Sequence, residues 1–201
     1  MELMQRSLRH LPNILSTLRI LLVVPIAVTL THQQWVGTLW LFLVAAVSDG
    51  VDGFLARRFS WQSELGGMLD PIADKLMMAT VFVMFALLGC VPPWLTVMVL
   101  TRDGIIVLGA VAYRVLLGPV SANPSFISKL NTLCQIVFIM AVIGNQRFSW
   151  PPAWLELALG ALVFVTVVLS GLDYVLVYGA RAAAAARLRR SLPHGGRSNP
   201  A

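Results

Sequence analysis

Little in this sequence carries charge. Only 12% of its 201 residues are Asp, Glu, Lys or Arg, and only nine are acidic. An ordinary soluble domain is about 25% charged and about 45–50% apolar with glycine included. Here 58% of residues are hydrophobic and the mean hydropathy is +0.79. A chain this short cannot hide so much apolar surface in one core, which excludes a soluble enzyme and a disordered chain. Cysteine is nearly absent too. Cys90 and Cys134 lie far apart in apolar surroundings, which excludes a disulfide-stapled secreted domain and reads as two buried, inert thiols. Internal repeats are lacking. What is left is an integral membrane protein of one domain, residues 1–190, with a Gly/Pro/Ser-rich tail, 191–201, expected to be disordered.

Six apolar runs are long enough, or nearly so, to cross a bilayer as helices: roughly 13–31, 36–57, 66–89, 94–116, 127–145 and 152–178. Helices are required because lipid offers no partner to bare backbone groups. Turn chemistry marks the breaks, for example Gly89 to Pro93 and Gly144 to Pro152. The expected class is therefore all-α, a polytopic bundle of six transmembrane helices. The first run follows Arg6 and Arg9 as a signal peptide would, but it is long, contains Arg19 and lacks a small-x-small cleavage site, so a retained helix is expected. Lys and Arg then set the orientation. Arg6, Arg9, Arg57, Arg58, Arg114, Lys129, Arg181, Arg187, Arg189 and Arg190 collect on one side, against Arg147 on the other. Both termini are expected in the cytoplasm, with the 181–190 stretch extending the last helix along the membrane surface. The net charge of +6 thus reads as membrane anchoring toward anionic lipid rather than nucleic-acid binding.

The scarce acids are not scattered. Asp49, Asp52, Asp70 and Asp74 fall in one stretch that straddles the second and third runs. A carboxylate at the middle of a spanning helix costs roughly 2.5–3.5 kcal/mol on insertion scales, so four sharing one cavity cost on the order of 10 kcal/mol without compensation. Arg57 and Lys75 are two charges against four. One or two divalent cations are the economical answer. On a helix Asp49, Asp52, Gly53 and Ala56 share one face, and Gly66, Asp70 and Asp74 share a face of the next. Folding the chain near Trp61 sets Asp49 level with Asp74 and Asp52 level with Asp70, and Asp49 lies about 12 Å along the axis from Arg57 at the cytoplasmic end. Oxygen-only ligands select hard cations such as Mg2+, Mn2+ or Ca2+, and a two-metal clamp suits phosphoryl transfer. Arg57 is placed to meet phosphate oxygens in a fork. Two other readings stay open on spacing alone: the acidic ion path of a transporter, and structural ion pairs with Arg57, Lys75 and Arg102, which the excess of acids disfavours.

The full pattern Asp49-x2-Asp52-Gly53-x2-Ala56-Arg57-x8-Gly66-x3-Asp70-x3-Asp74 resembles the signature of the CDP-alcohol phosphotransferase family. Eight positions agree over 26 residues, which also argues against a scaffold subunit with a decayed site. The resemblance implies a six-helix membrane enzyme, homodimeric, that takes CDP-diacylglycerol, lets an acceptor hydroxyl attack the lipid-side phosphorus and releases CMP. It implies that Asp49, Asp52 and Asp70 ligate two Mg2+ or Mn2+ ions, with Asp74 as general base and in some metal contact. Gly53, Ala56 and Arg57, beside Asp49 and Asp52, would hold the cytidine diphosphate part, and Gly66 would give it room. The family's occurrence and the compact chain suggest a bacterial inner membrane with the active site facing the cytoplasm.

Within the family, Pro12-Asn13-x5-Arg19 and Asp70-Pro71-Ile72-Ala73-Asp74-Lys75 resemble the branch that makes phosphatidylglycerophosphate and cardiolipin. Asn13 and Arg19 are either a helix cap and a snorkelling cation or contacts to donor phosphates. Arg102-Asp103, Tyr113-Arg114 and the 124–132 stretch with Lys129 look like cardiolipin synthases of the mitochondrial type. Phosphatidylglycerophosphate synthases tend to have Arg-Glu at the first place and a Gly-Lys-x-Lys-Thr run in place of Ser128 to Thr132. Glycerol 3-phosphate would bring a free dianion and need several cations. Arg102, Arg114 and Lys129 are available for it, or are interfacial anchors with one ion pair. The expected acceptor is phosphatidylglycerol, with glycerol 3-phosphate as the alternative.

Overall fold

A computed structural model describes the backbone of residues 11–59, 66–117 and 125–191, and side chains within 17–48, 72–109 and 125–176 together with Gly50 and Val111. The described residues form six helices and no strand: α1 (Leu11–Thr31), α2 (Trp35–Phe59), α3 (Gly66–Leu87), α4 (Pro93–Leu117), α5 (Phe126–Phe148) and α6 (Ala153–Ser191). Each apolar run corresponds to one helix. The last helix continues to Ser191 through Ala182–Ala186, a stretch of the best helix former. The tail beyond it lies outside the described residues.

Local chemistry ends the helices where the turn residues stand. Gly89 adopts φ +72. There the Cys90 N–H donates to Phe85 O at 2.9 Å and the Gly89 N–H to Ala86 O at 3.2 Å, the paired bonds of a Schellman cap on α3. The same pair closes α1, with Gln33 (φ 53) in the left-handed position. At the start of α5 the Ser125 hydroxyl accepts from the Ser128 N–H.

α1 packs against α2 and α3, α2 against α5, α3 against α4, and α6 against both α4 and α5. α3 contributes Met77, Met78, Val81, Phe82 and Phe85 to one continuous core with Phe42, Val99, Phe138, Ile139 and Val163. Phe82 and Phe138 stack with centroids 6.3 Å apart. α6 comes close to α4 because Gly109 has no side chain: a Cβ there would stand 2.8 Å from Tyr174 Cε1.

The outside is apolar too. Trp40, Leu108 and Leu157 are 62%, 71% and 76% exposed, a pattern that needs lipid or a partner over it. Among the described residues, Phe126–Phe148 and Ala153–Leu176 are long and apolar enough to cross a membrane, and Thr17–Thr31 and Trp35–Ser48 are shorter apolar helices.

Candidate functional site

The signature lies on two consecutive helices. Asp49, Asp52, Gly53, Ala56 and Arg57 have helical backbone in α2, and Gly66, Asp70 and Asp74 in α3. Helical spacing puts the positions Asp49, Asp52, Gly53 and Ala56 on one face of α2, and Gly66, Asp70 and Asp74 on one face of α3. Asp74 is half-buried. The side chains of Asp49, Asp52, Ala56, Arg57 and Asp70 lie outside the described residues, as do the side chains of Asn13 and Arg114 and the expected levelling of Asp49 with Asp74. Among the described residues no three His, Cys, Asp or Glu side chains gather as a metal site.

Beside Asp74, the next residue of α3 enters a buried ionic network. Lys75 Nζ donates to Asp103 Oδ1 at 2.8 Å, and Arg102 Nη1 donates to the same oxygen at 2.6 Å. Arg102 Nη2 donates to Ser128 Oγ of α5 at 2.8 Å and also to Ser170 Oγ of α6. One arginine and one aspartate of α4 thus tie α3, α5 and α6 together. Arg102 is 3% exposed. A guanidinium so far from water needs acceptors on its donors and a counter-charge; the network supplies the counter-charge and acceptors for both Nη groups, while among the described residues Nε has none. The reading of Arg102 as an interfacial anchor is thereby corrected, while its ion pair with Asp103 is present. Arg102 and Asp103 are adjacent on α4 and point about 100° apart, so only the length of the arginine lets it fold back to its neighbour. Lys129, one residue past Ser128, is exposed and turned away from this network.

Arg19 is also corrected. It is 1% exposed and among the largest fully buried side chains, not a cation snorkelling to the surface. It sits on α1, the helix that packs against both aspartate-bearing helices. Asn13 has helical backbone within α1 rather than standing before its first turn, which removes the capping role.

Sequence reasoning passed over a polar stripe that continues from this network. Ser128, Asn131 and Gln135 follow one face of α5 at i, i+3 and i+7, and Thr166 and Ser170 stand at i and i+4 on the facing α6. Asn131, Gln135, Thr166 and Ser170 are all buried. Thr166 Oγ1 donates to Asn131 Oδ1 at 3.0 Å, and Tyr174 OH donates to Ile106 O of α4 at 3.1 Å. The signal was present as polar residues at helical spacing in two apolar runs.

At the opposite end of the bundle stand Cys90, Glu156 and Asn145. Both cysteines are free; Cys134 is buried as expected, whereas Cys90 is only half-buried. Burial, and then the Glu156 carboxylate, push the Cys90 thiol up. Asn145 Nδ2 donates to Glu156 Oε2.

A sequence profile of the family described as CDP-alcohol phosphatidyltransferase matches residues 9–187. The chain is 31% identical over 156 residues to a Homo sapiens protein named cardiolipin synthase (CMP-forming), over 70% of this chain and 52% of the human one. It is 31% identical over 177 residues to a Mycobacterium tuberculosis protein named "probable phosphatidylglycerophosphate synthase", covering 83% of this chain and 80% of the relative. A Bacillus subtilis protein named CDP-diacylglycerol–glycerol-3-phosphate 3-phosphatidyltransferase is 32% identical over 142 residues, covering 67% and 69%. The chain therefore spans about half the length of the human relative.

Proposed function

The chain belongs to the CDP-alcohol phosphatidyltransferase family, and we propose that it moves the phosphatidyl group of CDP-diacylglycerol to the hydroxyl of phosphatidylglycerol, forming cardiolipin and CMP. The observation that carries the reaction is the eight-position acidic signature on two consecutive helices. The acceptor hydroxyl attacks the lipid-side phosphorus. Its proton passes to the Asp74 carboxylate, the bond from that phosphorus to the bridging oxygen breaks, and CMP leaves with that oxygen. Arg57, Gly53 and Ala56 face the cytidine diphosphate, with Gly66 giving room.

The donor set fits hard divalent cations, because it is all carboxylate and too acidic to be buried alone. Asp49, Asp52, Asp70 and Asp74 would hold Mg2+ or Mn2+, two ions, whose chemistry there is to neutralise charge developing around the phosphorus. Orientation and assembly follow the same reading. All six helices cross the membrane, an assignment supported by exposed apolar side chains on each of them. The excess of Lys and Arg supports a cytoplasmic side for both termini and the active site, and the family's occurrence supports a bacterial inner membrane. The enzyme works as a homodimer, as in the family.

The acceptor is argued from charge. Lys75 and Arg102 share Asp103, and both Nη groups of Arg102 already donate within the protein. These three groups keep one net positive charge, enough for a phosphodiester monoanion and less than a phosphate dianion calls for. Lys129 stands outside the network. The second reading, glycerol 3-phosphate as acceptor, is favoured by the names of the Mycobacterium and Bacillus relatives.

The deciding assay uses purified protein in lipid with Mn2+ and radiolabelled CDP-diacylglycerol, and separate tubes of phosphatidylglycerol, glycerol 3-phosphate or inositol phosphate. Cardiolipin and CMP in the first tube alone are expected. Product with glycerol 3-phosphate alone keeps the reaction and overturns the acceptor. Solute movement across sealed vesicles, indifferent to CDP-diacylglycerol and with no CMP released, would make the acidic cluster a transport path.

A further inference from the structure

We propose that Asn131 and Gln135 of α5 form a site inside the bundle for a hydroxyl oxygen, supplied by water or by the alcohol end of the acceptor. Both residues are 0% exposed. Among the described residues neither amide atom of Gln135 has a hydrogen-bond partner, and Asn131 Nδ2 has none either. The Asn131 oxygen is already bonded to Thr166 Oγ1. Interchanging the two ends of Gln135 leaves the same unmet donor and acceptor, and interchanging those of Asn131 exchanges its unmet donor for an unmet acceptor, which a water oxygen also meets. A buried amide left this way is costly, because nothing in an apolar bundle replaces the water it gave up. The pair stands one helical turn apart, about 6 Å along the axis. A single oxygen at about 2.9 Å from each amide spans that gap.

The unmet groups also select the chemistry. Gln135 presents a donor and an acceptor, and Asn131 adds a donor. A phosphate oxygen would face the Gln135 carbonyl, like against like. A cation would face the amide N–H groups. A hydroxyl both donates and accepts, and satisfies the set. Cys134 and Phe138, its neighbours on α5, are 8% and 3% exposed, which keeps bulk solvent away from the pair. The stripe runs from Gln135 through Asn131 to Ser128, which Arg102 holds. The site thus joins the network on the acceptor side, and its acceptor arm rests on the proposed transferase reaction.

The test is Gln135→Met in lipid-reconstituted protein, a change that keeps the length of the side chain and removes both polar atoms. An amide with no partner predicts a melting temperature that is unchanged or higher in the variant. An amide satisfied by bound water predicts a fall of about 3–6 °C without any substrate. If the oxygen belongs to the acceptor, the KM for phosphatidylglycerol rises about tenfold while the KM for CDP-diacylglycerol and the melting temperature stay put. A melting temperature that is not lowered, together with an unaltered acceptor KM, overturns the site. Should Gln135→Met not fold, radiolytic labelling of the wild type decides. Oxidation of Cys134 or Phe138 beside a bound water upholds the site, and its absence at both, together with an unaltered acceptor KM in Asn131→Leu, overturns it. If the wild type releases no CMP with any acceptor, the transferase reading fails, and the melting and labelling results still judge the site.

Discussion

The two ends of this helix bundle are built on opposite rules. Toward Gly89 and the α5–α6 turn, the interior is Phe82, Phe85, Phe138, Ile143, Leu95 and Val163, and the turns are closed by backbone caps. Toward the signature, the same helices bury Arg19, Arg102, Asp103, Asn131 and Gln135. The first end could be any well-packed membrane core. The second holds charge at a depth where charge is costly, and keeps it by pairing across four helices. Packing concentrated at one end leaves the other free to be polar, which is the arrangement a lipid-level enzyme needs for a soluble headgroup and a lipid to meet.

The sharpest way to separate the ends is to hurt each in its own currency. Asp70→Asn is expected to lower CMP release by at least about a thousandfold, as loss of a group that acts on the reacting phosphate does, while the protein stays folded. On the proposed metal site four carboxylates stand together without their cations in chelator, so the variant's melting temperature there should hold or rise. Turnover at the wild-type rate would remove Asp70 from the metal set. Phe85→Ala at the other end should do the reverse, costing about 3–5 kcal/mol of stability with unaltered turnover per folded molecule, read from a denaturation curve and an active-fraction titration.

The boundary between the ends is tested by Asp103→Asn. It leaves Lys75 and Arg102 without their shared carboxylate, and breaking one partner of a buried ion pair costs about 3–5 kcal/mol. The double variant Asp103→Asn with Arg102→Leu should recover part of that loss, since it removes one of the stranded charges. A double variant no more stable than the single one would mean that the network does not act as a unit.

How much of this was legible in the sequence follows the same division. Helix positions were, because an apolar run of membrane length has few alternatives and the turn residues from Gly89 to Pro93 or Gly144 to Pro152 say where it stops. The signature was legible as well, since its residues lie close in the chain and helical spacing gathers them. The fates of Arg19 and Arg102 were not. An arginine in an apolar run can snorkel or be buried, and the choice rests on partners elsewhere. For Arg102 these are Ser128 and Ser170, 26 and 68 residues away. The Ser128–Asn131–Gln135 stripe sat between these cases: its period was readable, yet its partners lay on another helix.

The smallest expected effect belongs to the apolar end, where Cys90 and Glu156 are the ionisable groups that meet. Burial and the Glu156 carboxylate both disfavour the thiolate, burial the more, so the thiol pKa stands above the ordinary value of 9.0. Alkylation at pH 8 should therefore run slower than for an exposed thiol, since the thiolate is the reacting form. The sign for stability follows. A thiol held protonated by the fold contributes its stabilising share in full below the unfolded pKa, and that share is lost as pH climbs from that value through the raised one. Glu156→Gln removes the smaller cause alone. The alkylation rate should rise by less than about threefold, with CMP release unaltered, because neither residue touches the polar end. A rate that fell on losing the carboxylate would mean that Glu156 activates the thiol, and the two ends would then differ less in their chemistry than their packing implies.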